Sequence, residues 1–210
     1  MMPDYVINTA TLMSIFINHY QHSTLDVGTY QKLAHAMTQK RSVYFGYGSN
    51  MWLDQMDRRC PENKYLGIGF IQDWYVVQSV ILLRDEKFVY RKWFICERGF
   101  ANIRRSPGDQ VYGLTYELSE SDERILDGYE GVPHHYVKEY HTINFLDSAG
   151  KSEIKALIYI NEELLEEGTP KAEYVYRMNM AIKDGTVAGA PEEYMNKYLR
   201  QFIPEISDEK

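Results

Sequence analysis

Residues 44–50 read Tyr44-Phe45-Gly46-Tyr47-Gly48-Ser49-Asn50, between a strand-like run starting at Val43 and the helix-like MWLDQMDRR. Two glycines and two small polar residues therefore stand where a strand hands over to a helix. Such a handover leaves the first N–H groups of the helix unpaired, and glycine lets a ligand reach them without a Cβ in the way. A turn followed by an N-cap explains the same letters equally well, because Ser and Asn oxygens satisfy helix N–H groups on their own. A dinucleotide fingerprint would need a third glycine where Met51 stands, and a phosphate P-loop would need Gly-Lys-Ser/Thr.

Outward from this stretch the chain is rich in strand formers. VYFGYG, YLGIGFI and WYVVQSVILL carry β-branched and aromatic residues, which favour strands. GFANIRR and QVYGLTYEL flank Ser106-Pro107-Gly108-Asp109, which predicts a chain reversal between antiparallel strands. Ser119 or Ser121 is placed to cap a short helix, SDERILDGYEG, with Ile125 and Leu126 facing inward, Gly128 weakening its end and Glu130 just past it. YVKEYHTINFL and EIKALIYIN read as two more strands around the turn Asp147-Ser148-Ala149-Gly150. KAEYVYRMNMAIKDG and PEEYMNKYLRQFI read as helices divided by Gly185, Gly189 and Pro191. Before the β-rich part, Val6, Leu12, Met13, Phe16 and Tyr20 mark one helical stretch and TYQKLAHAM a second. The predicted organisation is a helical extension over 1–40 and one domain over 41–205.

A chain of 210 residues is long enough for one well-buried core. Its 44% hydrophobic and 25% charged residues are ordinary for a soluble globular protein. The net charge of -7 argues against nucleic acid or an anionic membrane as partner, since both require a dominant basic surface. Arg58-Arg59 and Arg104-Arg105 are the dense basic spots, and they read as solvated surface. A small-molecule partner is expected. With two cysteines, Cys60 and Cys96, and no CxxC, neither a disulfide scaffold nor a structural zinc site is expected. TLMSIFINHY is too short to span a bilayer and lacks the basic flank of a signal peptide, so the expected compartment is the cytoplasm. His134, His135 and His141 lack the companions or spacing of a metal site, and they read as loop histidines.

Taken together, YFGYGSNM, SPGDQVYGLTYEL, LDGYEGVPHHYV, PKAEYVYRMNMAIKDG and APEEYMNKYL resemble, in order and approximate separation, the γ-glutamylcyclotransferase family, with the character of its fungal members. The resemblance covers roughly residues 43–200. It implies an α+β fold: a small, mixed, mostly antiparallel β-barrel with surrounding helices. It also implies an enzyme that cyclises a γ-glutamyl group to 5-oxoproline and releases the attached amino acid, peptide or amine, with no cofactor and no metal. Tyr44, Phe45, Gly46, Tyr47, Gly48 and Ser49 would then be the substrate-binding loop, Glu130 the general base, and Tyr174 a further substrate contact. Two other readings share this fold: the same reaction on a bulky glutathione adduct in secondary metabolism, and a non-catalytic binding module, which a neutral residue at position 130 would have favoured.

The implied chemistry accounts for these residue types. The α-amine attacks a carbonyl of its own molecule, so the nucleophile is already tethered and orientation replaces a covalent intermediate. That amine is an ammonium at neutral pH, so a carboxylate must take a proton and can return it to the departing nitrogen. Backbone N–H groups of the glycine loop would face the developing oxyanion. The helical extension and the aromatic segment 84–99 exceed the minimal family core. Either they cap a barrel edge or form a homodimer contact, or they reshape the pocket mouth.

Overall fold

The computed structural model describes residues 26, 40–77, 101–147, 150–161 and 170–206. The expected N-terminal helices, the aromatic segment 84–99 and the end of the WYVVQSVILL run lie outside the described residues.

Among the described residues, five strands form one sheet: β1 (Arg41–Gly46), β2 (Lys64–Val77), β3 (Asn102–Ser119), β4 (Val137–Asp147) and β5 (Gly150–Ile160). Their order around the sheet is β1-β3-β2-β4-β5, and it closes into a barrel. β1 runs antiparallel to β3 from Arg41 opposite Ser119 to Gly46 opposite Leu114. On its other side it pairs in parallel with β5, where Tyr44 meets Leu157. All other pairings are antiparallel. Closure leaves no free edge, and it explains why the last half of β1 is buried without alternation. Phe45, Leu114, Leu118, Ile143, Ala156 and Ile158 are among the fully buried apolar residues.

Helix α1 (Leu53–Arg59) follows a 3-10 turn at Ser49–Met51, and α2 (Glu120–Glu130) follows β3 directly. Ser119 caps α2 by accepting from Asp122 N–H at 3.1 Å, as its residue type predicts. The far end departs from expectation. Gly128 lies within the helix, Glu130 is its last residue, and Gly131 terminates it at φ 67°, ψ 38°. Val132 N–H bonds back to the Asp127 carbonyl at 3.0 Å, the Schellman closure that a left-handed glycine permits. Leu126 is buried, whereas Ile125 is exposed, so only one of the two faces inward.

Ser106–Asp109 does not reverse the chain. It lies within β3 as an irregularity opposite Asp73, between the pairs Gln72–Gln110 and Trp74–Arg105. Gly108 N–H donates to Asp73 Oδ1 at 2.9 Å, and Ser106 Oγ bonds Asp109 Oδ2 at 2.7 Å. A bulge accommodates Pro107 because its missing donor is not asked for there. Helix α3 (Ala172–Val187) runs through Gly185, where a Cβ would meet Met195 Cε at 2.7 Å. This glycine therefore serves close packing rather than dividing helices. Beyond Pro191 a helical turn, Glu192–Tyr194, continues as a π-helix, Met195–Arg200.

Where strands approach most closely, side chains must be absent. A Cβ on Gly113 would sit 2.5 Å from the Gly46 carbonyl oxygen and 2.7 Å from the Phe45 ring. Gly113→Ala should therefore destabilise the fold by about 1–3 kcal/mol through forced displacement. Gly128→Ala, which meets nothing within 4 Å in a helix interior, should stabilise it by about 0.5–1 kcal/mol. Urea midpoints of the two variants, moving in opposite directions, check this.

Candidate active site

The strand-to-helix handover carries the site. After β1, Met51 N–H bonds the Gly48 carbonyl at 2.9 Å, closing the 3-10 turn. The N–H groups of Ser49 and Asn50 precede any acceptor within that turn. Asp184 of α3 fixes the following helix, since Leu53 N–H donates to its Oδ2 at 2.9 Å. An aspartate from another element thus supplies the N-terminal partner that Trp52 cannot.

This loop opens on a cleft with about 420 Å³ of empty space including its mouth, lined by Tyr44, Tyr47, Gly48, Ser49, Tyr174 and Glu130 among others. Six of the eight expected site residues therefore converge. Phe45 and Gly46 do not reach it: the Phe45 ring is fully buried, and the Gly46 backbone packs against Gly113. Alternation along β1 explains Phe45, which faces the side opposite Tyr44; Gly46 shares the Tyr44 face but has no side chain to reach the cleft, and a Cβ there would meet Asn50 Cβ at 3.1 Å. Gly48 needs its missing side chain, because a Cβ there would lie 3.0 Å from Ala101 Cβ and 3.7 Å from Tyr174 Oη.

Glu130 reaches the loop from a position 80 residues away in the chain. Asn50 Nδ2 donates to its Oε1 at 2.9 Å and to the Tyr44 hydroxyl at 2.7 Å. Asn50 Oδ1 in turn accepts from Gln55 Nε2 and Arg59 Nη1, both at 2.8 Å. Arg59 also stacks over the Tyr129 ring at 4.6 Å. Arg177 forks onto Glu173, with Nε 2.6 Å from Oε1 and Nη2 2.9 Å from Oε2. Burial pushes the Glu130 carboxyl above its ordinary range, against the opposing pull of Arg59, the Asn50 hydrogen bond and Arg177. A carboxylate shifted upward in this way holds a proton more readily than an ordinary one, which suits it to proton exchange.

Several residues of the cleft escaped sequence reading. Arg59 sits in the cleft wall, so only Arg58 of that pair keeps the expected exposed place. Asn50 ended the quoted stretch, which was the available signal. Tyr129, Tyr136 and Tyr159 carried none, being three of 18 tyrosines. His141 bonds Glu139 at 2.6 Å and stands edge-on to Trp74. Cys60 is buried, its thiol pushed up to about 12 chiefly by burial, which leaves it a poor nucleophile.

The sequence pattern of the AIG2-like family matches residues 110–198. Mouse γ-glutamylcyclotransferase is 28% identical over 173 residues, covering 80% of this chain and 84% of that protein. This chain is γ-glutamylcyclotransferase-like in sequence and in fold. The crystal structure of an uncharacterized human protein superimposes with a TM-score of 0.60 at 26% identity, covering 82% of this chain and 92% of the other. A solved γ-glutamyl cyclotransferase gives 0.56 at 22% identity, over 81% and 92%. The matched family pattern includes helix α2 with Glu130, whereas β1 and the glycine loop lie before its first matched residue.

The direction of the Glu130 shift fixes a pH dependence. Its folded pKa lies above the ordinary 4.5, so its contribution to stability is fully present below pH 4.5 and is lost as pH rises through the folded value. Glu130→Gln is neutral throughout. Its urea midpoint should pull ahead of the parent above the folded pKa relative to its position at pH 4, and a constant offset across that range would contradict the raised pKa.

Proposed function

We propose that this chain is a γ-glutamylcyclotransferase acting on a small γ-glutamyl compound, with Glu130 as its general base. The observation that carries this reading is the single amide of Asn50, which ties the Glu130 carboxylate to the glycine loop inside one cleft.

In this reading Glu130 takes a proton from the substrate α-ammonium. The freed amine forms a bond to its own δ-carbonyl carbon, and the π electrons of that carbonyl move onto oxygen. Collapse of the tetrahedral intermediate re-forms the carbonyl and breaks the bond to the leaving nitrogen, which receives the proton from Glu130. The ring nitrogen, which carries two protons after the attack, passes the second through Glu130 to the departing amine, so the products are 5-oxoproline and an ammonium ion, with no net proton gained or lost. The N–H groups of Ser49 and Asn50, at the start of the 3-10 turn, are suited to an anionic oxygen of the substrate. Effective concentration does much of the work, because nucleophile and electrophile belong to one molecule.

The test is incubation of purified protein with γ-glutamyl amino acids, γ-glutamyl amines, glutathione and glutathione adducts, with detection of 5-oxoproline. Binding without 5-oxoproline from any of them would favour the non-catalytic module. For an active parent, Glu130→Gln should keep the fold and lose about 10²–10⁴-fold in turnover, the usual range for a removed general base. Glu130→Asp should also fall strongly, because the charge is withdrawn from the amine.

Gly48→Val separates a substrate cradle from an ordinary turn. Its methyl groups would enter the space beside Ala101 and Tyr174. Turnover per folded molecule should drop while the thermal melt stays cooperative. Loss of activity only in proportion to the folded fraction would return the loop to a structural role.

A further inference from the structure

Asn50 sets the direction of the hydrogen bonds in the cleft. Its Oδ1 faces two donors, Arg59 Nη1 and Gln55 Nε2, and a guanidinium has no acceptor to offer. Gln55 is oriented in its turn: Nε2 donates to the Ser49 carbonyl at 3.0 Å, and Oε1 faces Arg177 Nη1 at 3.4 Å. On the other side of Asn50, Nδ2 faces the acceptor-only carboxylate of Glu130. The amide orientation thus follows from the chemistry of its neighbours. The second proton on Nδ2 goes to the Tyr44 hydroxyl oxygen at 2.7 Å.

Tyr44 therefore accepts from Asn50, and its own proton must point elsewhere. Its ring is held between Tyr116, stacked at 6.2 Å, and Tyr159, edge-on at 5.6 Å, so the hydroxyl stays at the cleft wall. Three neighbouring phenols run the opposite way. Tyr47 donates to the Tyr159 carbonyl at 2.6 Å, Tyr159 to Asp127 Oδ1 at 2.7 Å, and Tyr136 to the Ala101 carbonyl at 2.8 Å. These three direct their protons into the protein and leave lone pairs. Among the four, Tyr44 is the hydroxyl whose proton is left for a ligand.

We propose that the Tyr44 hydroxyl donates a hydrogen bond to the δ-carbonyl oxygen of the bound γ-glutamyl group, and that Asn50 is the positioning residue that orients both this donor and Glu130. The assignment rests on the cyclotransferase reading above. One small amide holds donor and base on either side of it, which matches a reaction whose amine and carbonyl meet in a single closing ring. Negative charge reaches the carbonyl oxygen only as the new bond forms, so the Tyr44 contact strengthens in the transition state. Burial, with the Glu130 charge adding to it, raises the phenol pKa well above its ordinary value. Tyr44 consequently stays a donor throughout the neutral range and never needs to ionise.

The experiment compares the parent with Tyr44→Phe, Asn50→Ala and the double variant, using steady-state kinetics, thermal melts and ¹³C titration of the Glu130 carboxyl. Tyr44→Phe keeps the stacked ring and should lower kcat about 10²–10³-fold, with KM within about threefold because the lost contact belongs to the transition state. Asn50→Ala should lower kcat at least as much and raise the Glu130 pKa, since a donor to the ionised form is gone. The double variant should be no slower than Asn50→Ala alone, as expected for groups acting as one unit. An active parent whose Tyr44→Phe variant keeps kcat within about threefold overturns the donor role and leaves the cyclotransferase reading standing. An unmoved Glu130 titration in Asn50→Ala overturns the positioning role. A parent that forms no 5-oxoproline from any γ-glutamyl compound overturns the cyclotransferase reading and the donor role with it.

Discussion

Insertion of the six-residue strand β1 between β3 and β5 is the constraint on which the other features depend. It meets β3 antiparallel and β5 parallel. Without it the remaining strands would form an open sheet with two exposed edges. Because β1 is paired on both sides, the loop that leaves its end is anchored by two ladders. Tyr44 and Tyr47 inherit that rigidity, and so does the turn beginning at Ser49. Functional groups borne on such an element are held more closely than groups on a free loop.

The partner of that loop is held by a different device. Glu130 is the last residue of α2, and the left-handed Gly131 after it ends the helix at that point. A Cβ at Gly131 would collide with the His135 ring at 2.5 Å, in addition to the unfavourable φ. Backbone geometry therefore delivers the carboxylate to the cleft, and Asn50 completes its placement. At the base of the same helix, Ser42 and Lys138 both bond Glu123, and Lys138 also reaches Asp127. Asp127 then holds the Tyr159 hydroxyl, so one face of α2 is tied to β1, β4 and β5.

Local patterns carried most of the strand and helix content into view. Val43–Gly46, the β4–β5 hairpin and the helix beginning after Ser119 each have a short-range cause: β-branched and aromatic runs, a Gly-bearing turn, an N-cap. Barrel closure came only through family resemblance, because a parallel seam between β1 and β5 leaves no mark in either segment. Ser106–Asp109 misled because proline and glycine announce a break without saying whether the chain turns back. The deciding partner, Asp73 at φ 63°, lies on the neighbouring strand. Arg59 was mistaken for surface because charge is a poor guide where a buried amide waits for a donor. Phe45 and Gly46 were drawn into the site by their place in the motif, although alternation turns Phe45 to the side opposite Tyr44 and Gly46 carries no side chain to reach the cleft.

The concentration of phenols around the barrel sets an upper pH limit on the fold. Burial raises Tyr44, Tyr47, Tyr116, Tyr159 and Tyr194 above the ordinary value of 10. Their contribution to stability is complete below pH 10 and drains away as alkali approaches the folded values, because the unfolded chain releases those protons first. These side chains ionise in bulk only when the barrel opens. Phenolate absorbance in strong base would consequently rise with the kinetics of unfolding, giving the molecule a built-in optical clock for the rupture of its core.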